Sequence, residues 1–165
     1  MLRSKSKIVY LGIGTNKGSR ETNISNAIKL LSETKGIKLL KVSKMLKNPP
    51  QEGIKTGYFL NGAIKLLTSL TPLELLRACK NIERKLGRRL IRGKKRSRVI
   101  DLDILFYEDE ITDTKELIIP HPMIEKRYFV LIPLMEIGKN FLHPILGKSV
   151  KELYSELNKD LKKYA

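Results

Sequence analysis

Ile100-Asp101-Leu102-Asp103-Ile104-Leu105-Phe106 alternates apolar and polar residues over most of its length. A period of two is the pattern of a β-strand with one face on a core, here Ile100, Leu102, Ile104 and Phe106. Residues two apart on a strand point the same way, so Asp101 and Asp103 lie side by side on the other face. This strand closes a series whose order decides the fold.

Before it, Thr71-Pro72-Leu73-Glu74 is a capping box with proline at the first helical position. The helix it opens carries the stripe Leu75, Leu76, Ala78, Ile82 and Leu86, and Gly87 is its expected C-terminal stop. Before that helix, Phe59, Leu60, Ala63, Ile64, Leu66 and Leu67 form a strand. Ile37, Leu39 and Val42 begin another, which runs into Asn48, Pro49 and Pro50 and then a loop to about Gly57. A helical stripe at Ile24, Ala27, Ile28 and Leu31 is expected to end at Gly36, and Lys7 to Thr15 makes a first strand stopped by Gly12, Gly14 and Gly18.

Strand, helix, two strands, helix, strand is the order of an α+β, ferredoxin-like βαββαβ sandwich. Its mainly antiparallel sheet carries helices on one face and leaves the other face for a site. After Leu117 to Ile119 and the Pro120-His121-Pro122 break, a helical stretch from Met123 to Ile137 is predicted. Ser149-Val150-Lys151-Glu152 then reads as a second capping box opening an extra C-terminal helix, with Val150, Leu153, Tyr154, Leu157 and Leu161 as its stripe.

The 165 residues, 41% of them hydrophobic, suit a single domain over residues 1–165. No apolar run approaches the roughly 20 residues that span a bilayer. Neither export nor a membrane site is expected, and the place of action is expected to be the cytoplasm. The lone Cys79 sits in a helical apolar pattern and is expected to be a buried, non-catalytic thiol. With 33 basic and 17 acidic residues, the net charge of +16 draws polyanions in general, from nucleotides to RNA.

Asp101 and Asp103 repel one another unless a cation sits between them, and Mg²⁺ binds through one or two carboxylates plus substrate phosphates. An ordinary solvated strand face is the alternative. Just upstream, Arg84, Lys85, Arg88, Arg89, Arg92, Lys94, Lys95, Arg96 and Arg98 form a run with no acidic residue. Such a run repels itself and is expected to order around an anion, phosphate oxygens being good bidentate partners for arginine; a nucleic-acid patch is the alternative. A phosphate-binding segment leading into a magnesium-type carboxylate pair supplies the two parts that phosphoryl transfer needs. Gly12 to Gly18 fits neither standard phosphate-loop pattern and reads as a tight turn that lets another group approach the backbone. His121, held between prolines near Arg127, is either a nucleotide contact or structural; His143 belongs to a turn. Phe59 and Phe129 matter if they sandwich a flat heterocycle.

In this order the residues resemble the 6-hydroxymethyl-7,8-dihydropterin pyrophosphokinase (HPPK) family. The likeness runs from Val9-Tyr10-Leu11-Gly12-Ile13-Gly14-Thr15-Asn16 to about Ile137, and centres on Arg98-Val99-Ile100-Asp101-Leu102-Asp103-Ile104. Pro49-Pro50, Phe59-Leu60-Asn61, Glu83, Arg88, Pro120-His121-Pro122 and Arg127-Tyr128-Phe129 match related residues. The resemblance implies transfer of pyrophosphate from MgATP to a reduced hydroxymethylpterin, in folate synthesis. It implies two Mg²⁺ ions on Asp101 and Asp103, and Arg88 and Arg98 on the phosphates as further catalytic residues. Lys80, Glu83, Ile104, His121 and Arg127 join those arginines around ATP, while Asn48, Pro49, Phe59, Asn61 and Phe129 hold the pterin. Phe59 replaces a tyrosine of some members, Arg96 a glycine and Lys95 a tryptophan. Leu90 and Glu116 replace arginines, for which Arg89 or Arg92 stands in.

Two rivals remain at the level of sequence. A basic ferredoxin-like RNA-binding module would want aromatic residues on its central strands, whereas only 6% of this chain is aromatic and the fourth strand carries carboxylates. A two-metal nuclease would also use paired carboxylates but has no use for a pterin sandwich. The expected partners are therefore the pterin and ATP, with nucleic-acid binding incidental, and the expected state is a monomer or weak dimer.

Overall fold

The computed structural model describes residues 5–49, 57–87 and 99–163. Its elements are β1 (Lys7–Thr15), α1 (Arg20–Ser32), β2 (Ile37–Val42), β3 (Leu46–Asn48), β4 (Phe59–Thr68), α2 (Pro72–Lys85), β5 (Asp101–Tyr107), β6 (Thr112–Asp113), β7 (Ile118–Ile119), α3 (Tyr128–Gly138) and α4 (Val150–Lys162). The main sheet runs β2-β4-β1-β5, with β3 continuing along β4, and all its pairs are antiparallel. This is the ferredoxin-like arrangement, with β6 and β7 as a separate small hairpin.

Alternation along the strands sorts side chains into two cores. Val9, Leu11 and Ile13 of β1, with Ile64, Leu66, Leu102 and Ile104, meet Ile24, Ala27 and Leu31 of α1 and Leu75, Cys79 and Ile82 of α2. Each large side chain fully buried here contributes about 1.5–3 kcal/mol. Burial pushes the Cys79 thiol up to about 12, with Glu83 adding to the effect, so it stays protonated and inert. On the opposite face Tyr10, Ala63 and Phe106 meet Leu131, Leu134 and Ile137 of α3 and Val150 and Leu153 of α4. The face expected to be free is thus covered where these residues lie. Gly12, Gly14, Asn61, Asp101 and Asp103 remain only partly buried.

Local chemistry explains where the elements stop. At α2 the predicted box is complete: the Thr71 N–H donates to Glu74 Oε2 at 2.8 Å and the Glu74 N–H to Thr71 Oγ1 at 3.3 Å. Gly87, with φ +101°, follows its last residues. At α4 only the serine half forms, the Glu152 N–H donating to Ser149 Oγ at 3.1 Å. Helix α1 ends at Ser32 rather than Gly36, whose φ of +88° instead turns the chain into β2. The first strand runs through Gly12 and Gly14 to Thr15, because both glycines are extended and only Gly18 has a positive φ, of +65°.

Three further departures have physical causes. The second strand is split at Ser43 to Met45, where the Ser43 hydroxyl replaces a ladder acceptor and takes the Ala63 N–H at 2.8 Å. The register of β5 against β1 shifts beside Leu105, so Phe106 joins Leu105 on the second face instead of packing with Ile104. The helix predicted from Met123 begins only at Tyr128, since Arg127 is extended after a single 3₁₀ turn at Ile124–Lys126.

Glu83 is completely buried, and its Oε1 accepts the Leu102 N–H at 2.9 Å while Oε2 lies 3.5 Å from Lys80 Nζ. This carboxylate bonds β5 to α2, alongside the core packing between them. Removing it orphans a buried donor, which costs about 1–3 kcal/mol. Glu83→Ala should therefore lower the unfolding free energy by that amount in denaturant titrations. Glu83→Gln, which keeps an acceptor, should lose less; equal losses would show that the Leu102 bond does not matter.

His143 is 5% exposed, and its Nδ1 accepts the N–H groups of Ile145 at 3.2 Å and Leu146 at 3.1 Å. It closes a turn, as expected. Burial holds it below the usual histidine range, with Glu125 opposing the shift. The unfolded chain, titrating at about 6.5, then takes up the proton more readily than the native one, so stability falls as pH drops through that value. Unfolding titrations at about pH 7.5 and 5.5 should show this loss, and His143→Asn, whose amide oxygen can replace Nδ1, should reduce it. An unchanged slope in the variant would remove His143 as the source.

Candidate active site

The site is set by what β1 lacks. Gly14 stands opposite Asn61 of β4 on one side and Asp101 of β5 on the other. One row along, Gly12 stands between Ala63 and Asp103. Residues opposite one another in an antiparallel pair share a face, so a side-chain-free strip runs between Asn61 and the two aspartates. A Cβ on Gly14 would lie 2.8 Å from Asn61 Oδ1, and one on Gly12 would make ordinary contact with Leu105 at 3.5 Å. The strip is a trough, with its carboxylate bank about 7 Å long from Asp101 to Asp103.

That bank is held from behind and from its end. Glu83 grips Leu102 between the two aspartates. Its side chain has no exposed surface. Thr15 Oγ1 donates to the Val99 carbonyl at 2.5 Å, tying the end of β1 to the residues that lead into Asp101. The Lys80 side chain, 44% exposed, turns its ammonium toward the same carboxylate from the surface. Because the Leu102 N–H points out of the sheet to Glu83, Ile104, two residues on, turns its own N–H and C=O to that outer edge while its side chain stays in the core.

At the irregularity in β5 the Leu105 carbonyl accepts the His121 N–H at 3.0 Å, seating the Pro120-His121-Pro122 segment beside the carboxylates. His121 Nδ1 accepts the Met123 N–H at 3.3 Å, so the neutral ring carries its proton on Nε2. Burial, reinforced by Arg127, holds His121 below the usual range, while Asp101 and Glu125 pull it the other way. The ring is therefore a neutral donor near pH 7. Arg127 immediately precedes α3, its Cζ 5.6 Å from the Phe129 ring centroid.

The far bank is made by β3, β4 and α3. Asn48 pairs in register with Phe59, and Phe59, Asn61 and Ala63 share the face on which α3 lies. Asn48 Nδ2 is buried and has no hydrogen-bond partner among the described residues. A buried unpaired donor is costly, and a ligand acceptor would satisfy it. Pro49 is exposed beside it, and Phe59 and Phe129 are each half-buried. Glu136 of α3 accepts the Lys44 N–H at 2.9 Å, and the Tyr128 hydroxyl donates to Asn158 Oδ1 at 3.1 Å, so α3 is braced against both the β2–β3 turn and α4.

Asp101, Asp103, His121, Arg127, Asn48, Asn61, Phe59 and Phe129 thus belong to one face and one end of the sheet. Arg88, Arg98 and the rest of the basic run from Arg89 to Arg96, with Pro50, lie outside the described residues. Two hard carboxylates whose remaining ligands come from elsewhere fit Mg²⁺ held partly by phosphate and water. Among the described residues no group of three or more potential metal-binding side chains gathers. Sequence reasoning missed the Thr15–Val99 bond and the carbonyl offered by the Leu105 irregularity, since neither has a spacing signal.

Residues 10–139 match the family described as 7,8-dihydro-6-hydroxymethylpterin-pyrophosphokinase (HPPK). The 2-amino-4-hydroxy-6-hydroxymethyldihydropteridine pyrophosphokinase of Aquifex aeolicus is 43% identical over 148 residues, covering 90% of this chain and 91% of that protein. Its namesake in Bacillus subtilis is 41% identical over 80% of this chain and 78% of its own length. The folic acid synthesis protein fol1 of Schizosaccharomyces pombe is 36% identical, but the match covers only 21% of it. Among solved structures, wild-type Plasmodium falciparum HPPK-DHPS with SDX-DHP superposes with a TM-score of 0.77 at 17% identity, over 99% of this chain and 46% of that one, a likeness of fold. The carboxylate pair on β5, the trough it borders and the match over residues 10–139 together place this chain in the HPPK family.

Proposed function

We propose that this chain transfers pyrophosphate from MgATP to the hydroxymethyl group of 6-hydroxymethyl-7,8-dihydropterin, releasing AMP, as a step of folate synthesis. The observation that carries this is the glycine-floored trough with Asp101 and Asp103 on one bank and Asn61, with the unpaired Asn48 amide, on the other. A flat heterocycle fits against Asn61 and between the Phe59 and Phe129 rings, its edge able to satisfy the Asn48 donor. The nucleotide takes the β5 side, where Ile104 offers main-chain groups, His121 a neutral N–H, and Lys80 and Arg127 positive charge.

Catalysis is mainly positioning. The pterin hydroxymethyl oxygen attacks the β-phosphorus of ATP in line, the bond from that phosphorus to the α-phosphate oxygen breaks, and AMP departs. A bound Mg²⁺ pair would neutralise charge developing on the phosphate oxygens, with Asp101 and Asp103 as its protein ligands. The proton of the attacking hydroxyl can pass to solvent, since a loose transition state needs little help from a base. Arg88 and Arg98 complete the phosphate contacts.

Calorimetric titration of a non-hydrolysable ATP analogue with Mg²⁺, with and without the pterin, is the direct test. Pterin binding that requires the nucleotide, with AMP release on ATP, would support the reading. Binding of single-stranded RNA with neither small ligand would reject it.

Asp101→Ala and Asp103→Ala should each lower turnover by about three orders of magnitude or more, the scale on which transition-state charge stabilisation is lost, with modest change in stability. Near-normal turnover in either variant removes the metal assignment. Gly14→Ala drives a methyl into Asn61 Oδ1, so it should weaken pterin binding about tenfold and leave nucleotide affinity nearly unchanged. Equal loss for both ligands would mean that the sheet itself had been distorted.

A further inference from the structure

Arg20, the first residue of α1, makes more connections than a helix start needs. Its Nε donates to the Tyr58 carbonyl at 2.7 Å and its NH2 group to the Asn16 carbonyl at 3.1 Å, with a longer bond from NH1 to the Gly18 carbonyl at 3.4 Å. Its Cζ also lies 4.2 Å from the centroid of the Tyr58 ring, and Lys47 Nζ of β3 lies 4.0 Å from the same centroid. A Cβ on Gly57 would come within 2.8 Å of the guanidinium, so the chain is bare where the arginine rests against it. Tyr58 is therefore held by its carbonyl and by its ring.

The neighbours give this cluster its meaning. Tyr58 immediately precedes Phe59, Lys47 immediately precedes Asn48, and Phe59 and Asn48 are register partners across β3 and β4. The Asn16 carbonyl belongs to the turn that follows Thr15, which is itself bound to Val99 on the carboxylate side. One guanidinium thus spans from the end of β1 to the start of β4, and the ring it holds reaches β3. We infer that Arg20 is a positioning residue for the substrate: through Tyr58 and Lys47 it fixes the angle of the Phe59 ring and the depth of Asn48, and so sets affinity for the heterocycle without touching it. This rests on the pyrophosphokinase reading above.

A lysine in place of Arg20 keeps the charge over the ring but cannot bond to two carbonyls in a fork, so it should restore function only in part. Tyr58→Leu keeps the carbonyl bond but removes the ring from both cations, a contact worth about two- to fivefold in an equilibrium. In Arg20→Met, calorimetry with the non-hydrolysable nucleotide bound should show pterin affinity reduced about tenfold or more. Nucleotide affinity measured without pterin should stay within about twofold. Arg20→Lys should lie between, and Tyr58→Phe should match the parent while Tyr58→Leu loses pterin affinity.

Unchanged pterin affinity in Arg20→Met, or equal losses for pterin and nucleotide, would overturn the inference and leave Arg20 as a structural residue alone. If Arg20→Met does not fold, the two Tyr58 variants decide: equal pterin affinity in Tyr58→Phe and Tyr58→Leu overturns it. A parent protein that binds nucleotide but no pterin rejects the underlying pyrophosphokinase reading instead.

Discussion

Two missing side chains in the middle of the sheet are the constraint around which the rest is arranged. Glycine within a strand loses about 0.5–1 kcal/mol through backbone entropy, and Gly12 and Gly14 sit in the central strand. The opposite face of the same strand offsets that cost many times over, because Val9, Leu11 and Ile13 are all at or near full burial against α1 and α2. A central strand is also the one place where such a gap stays defined, since β4 and β5 hold it through ladders on both edges. The same strip at an edge would have only one bank.

The irregularity at Leu105 divides the labour along β5. Up to Ile104 the strand alternates strictly, which sends Asp101 and Asp103 to the trough and Leu102 and Ile104 to the core. One extra residue then turns Leu105 and Phe106 to the same side, into the second core with Tyr10 and Phe141. The polar and the greasy halves of one face are thereby separated by a single step in register. The carbonyl at that step receives His121, so the feature that ends the polar half also places its neutral donor.

Much of this was legible because the signals were local. The capping box at Thr71, the glycine after Leu86 and the alternation from Ile100 to Ile104 each depend on residues within a turn or a few strand positions, and each was found where expected. Gly12 and Gly14 were misplaced at the end of a strand because glycine reads as a breaker, whereas here it stays extended and its value lies in what opposes it. The covered part of the second face was missed for a related reason. Met123 to Ile137 has apolar residues enough for a core helix, but which sheet face receives it depends on pairing between strands as far apart in sequence as Val9 and Tyr107. Contacts such as Arg20 to Tyr58, 38 residues apart, leave no periodic trace.

Helix α4 is tied to the helix that carries Phe129. Helix α3 begins with Tyr128 and Phe129 directly after the extended Arg127, so Arg127 and Phe129, the two proposed ligand contacts here, sit at its least stable end, where N–H groups have no intrahelical partners. Pro133 removes one more helical bond, the one that would have gone to the Phe129 carbonyl. A helix start weakened in this way needs external support. It receives it from the Tyr128 hydroxyl on Asn158, the Tyr128–Tyr154 ring contact at 6.2 Å and, at its other end, the Glu136 bond to Lys44. Helix α3, which carries Phe129, is therefore braced from outside by α4 and by the β2–β3 turn, two segments far apart in the chain.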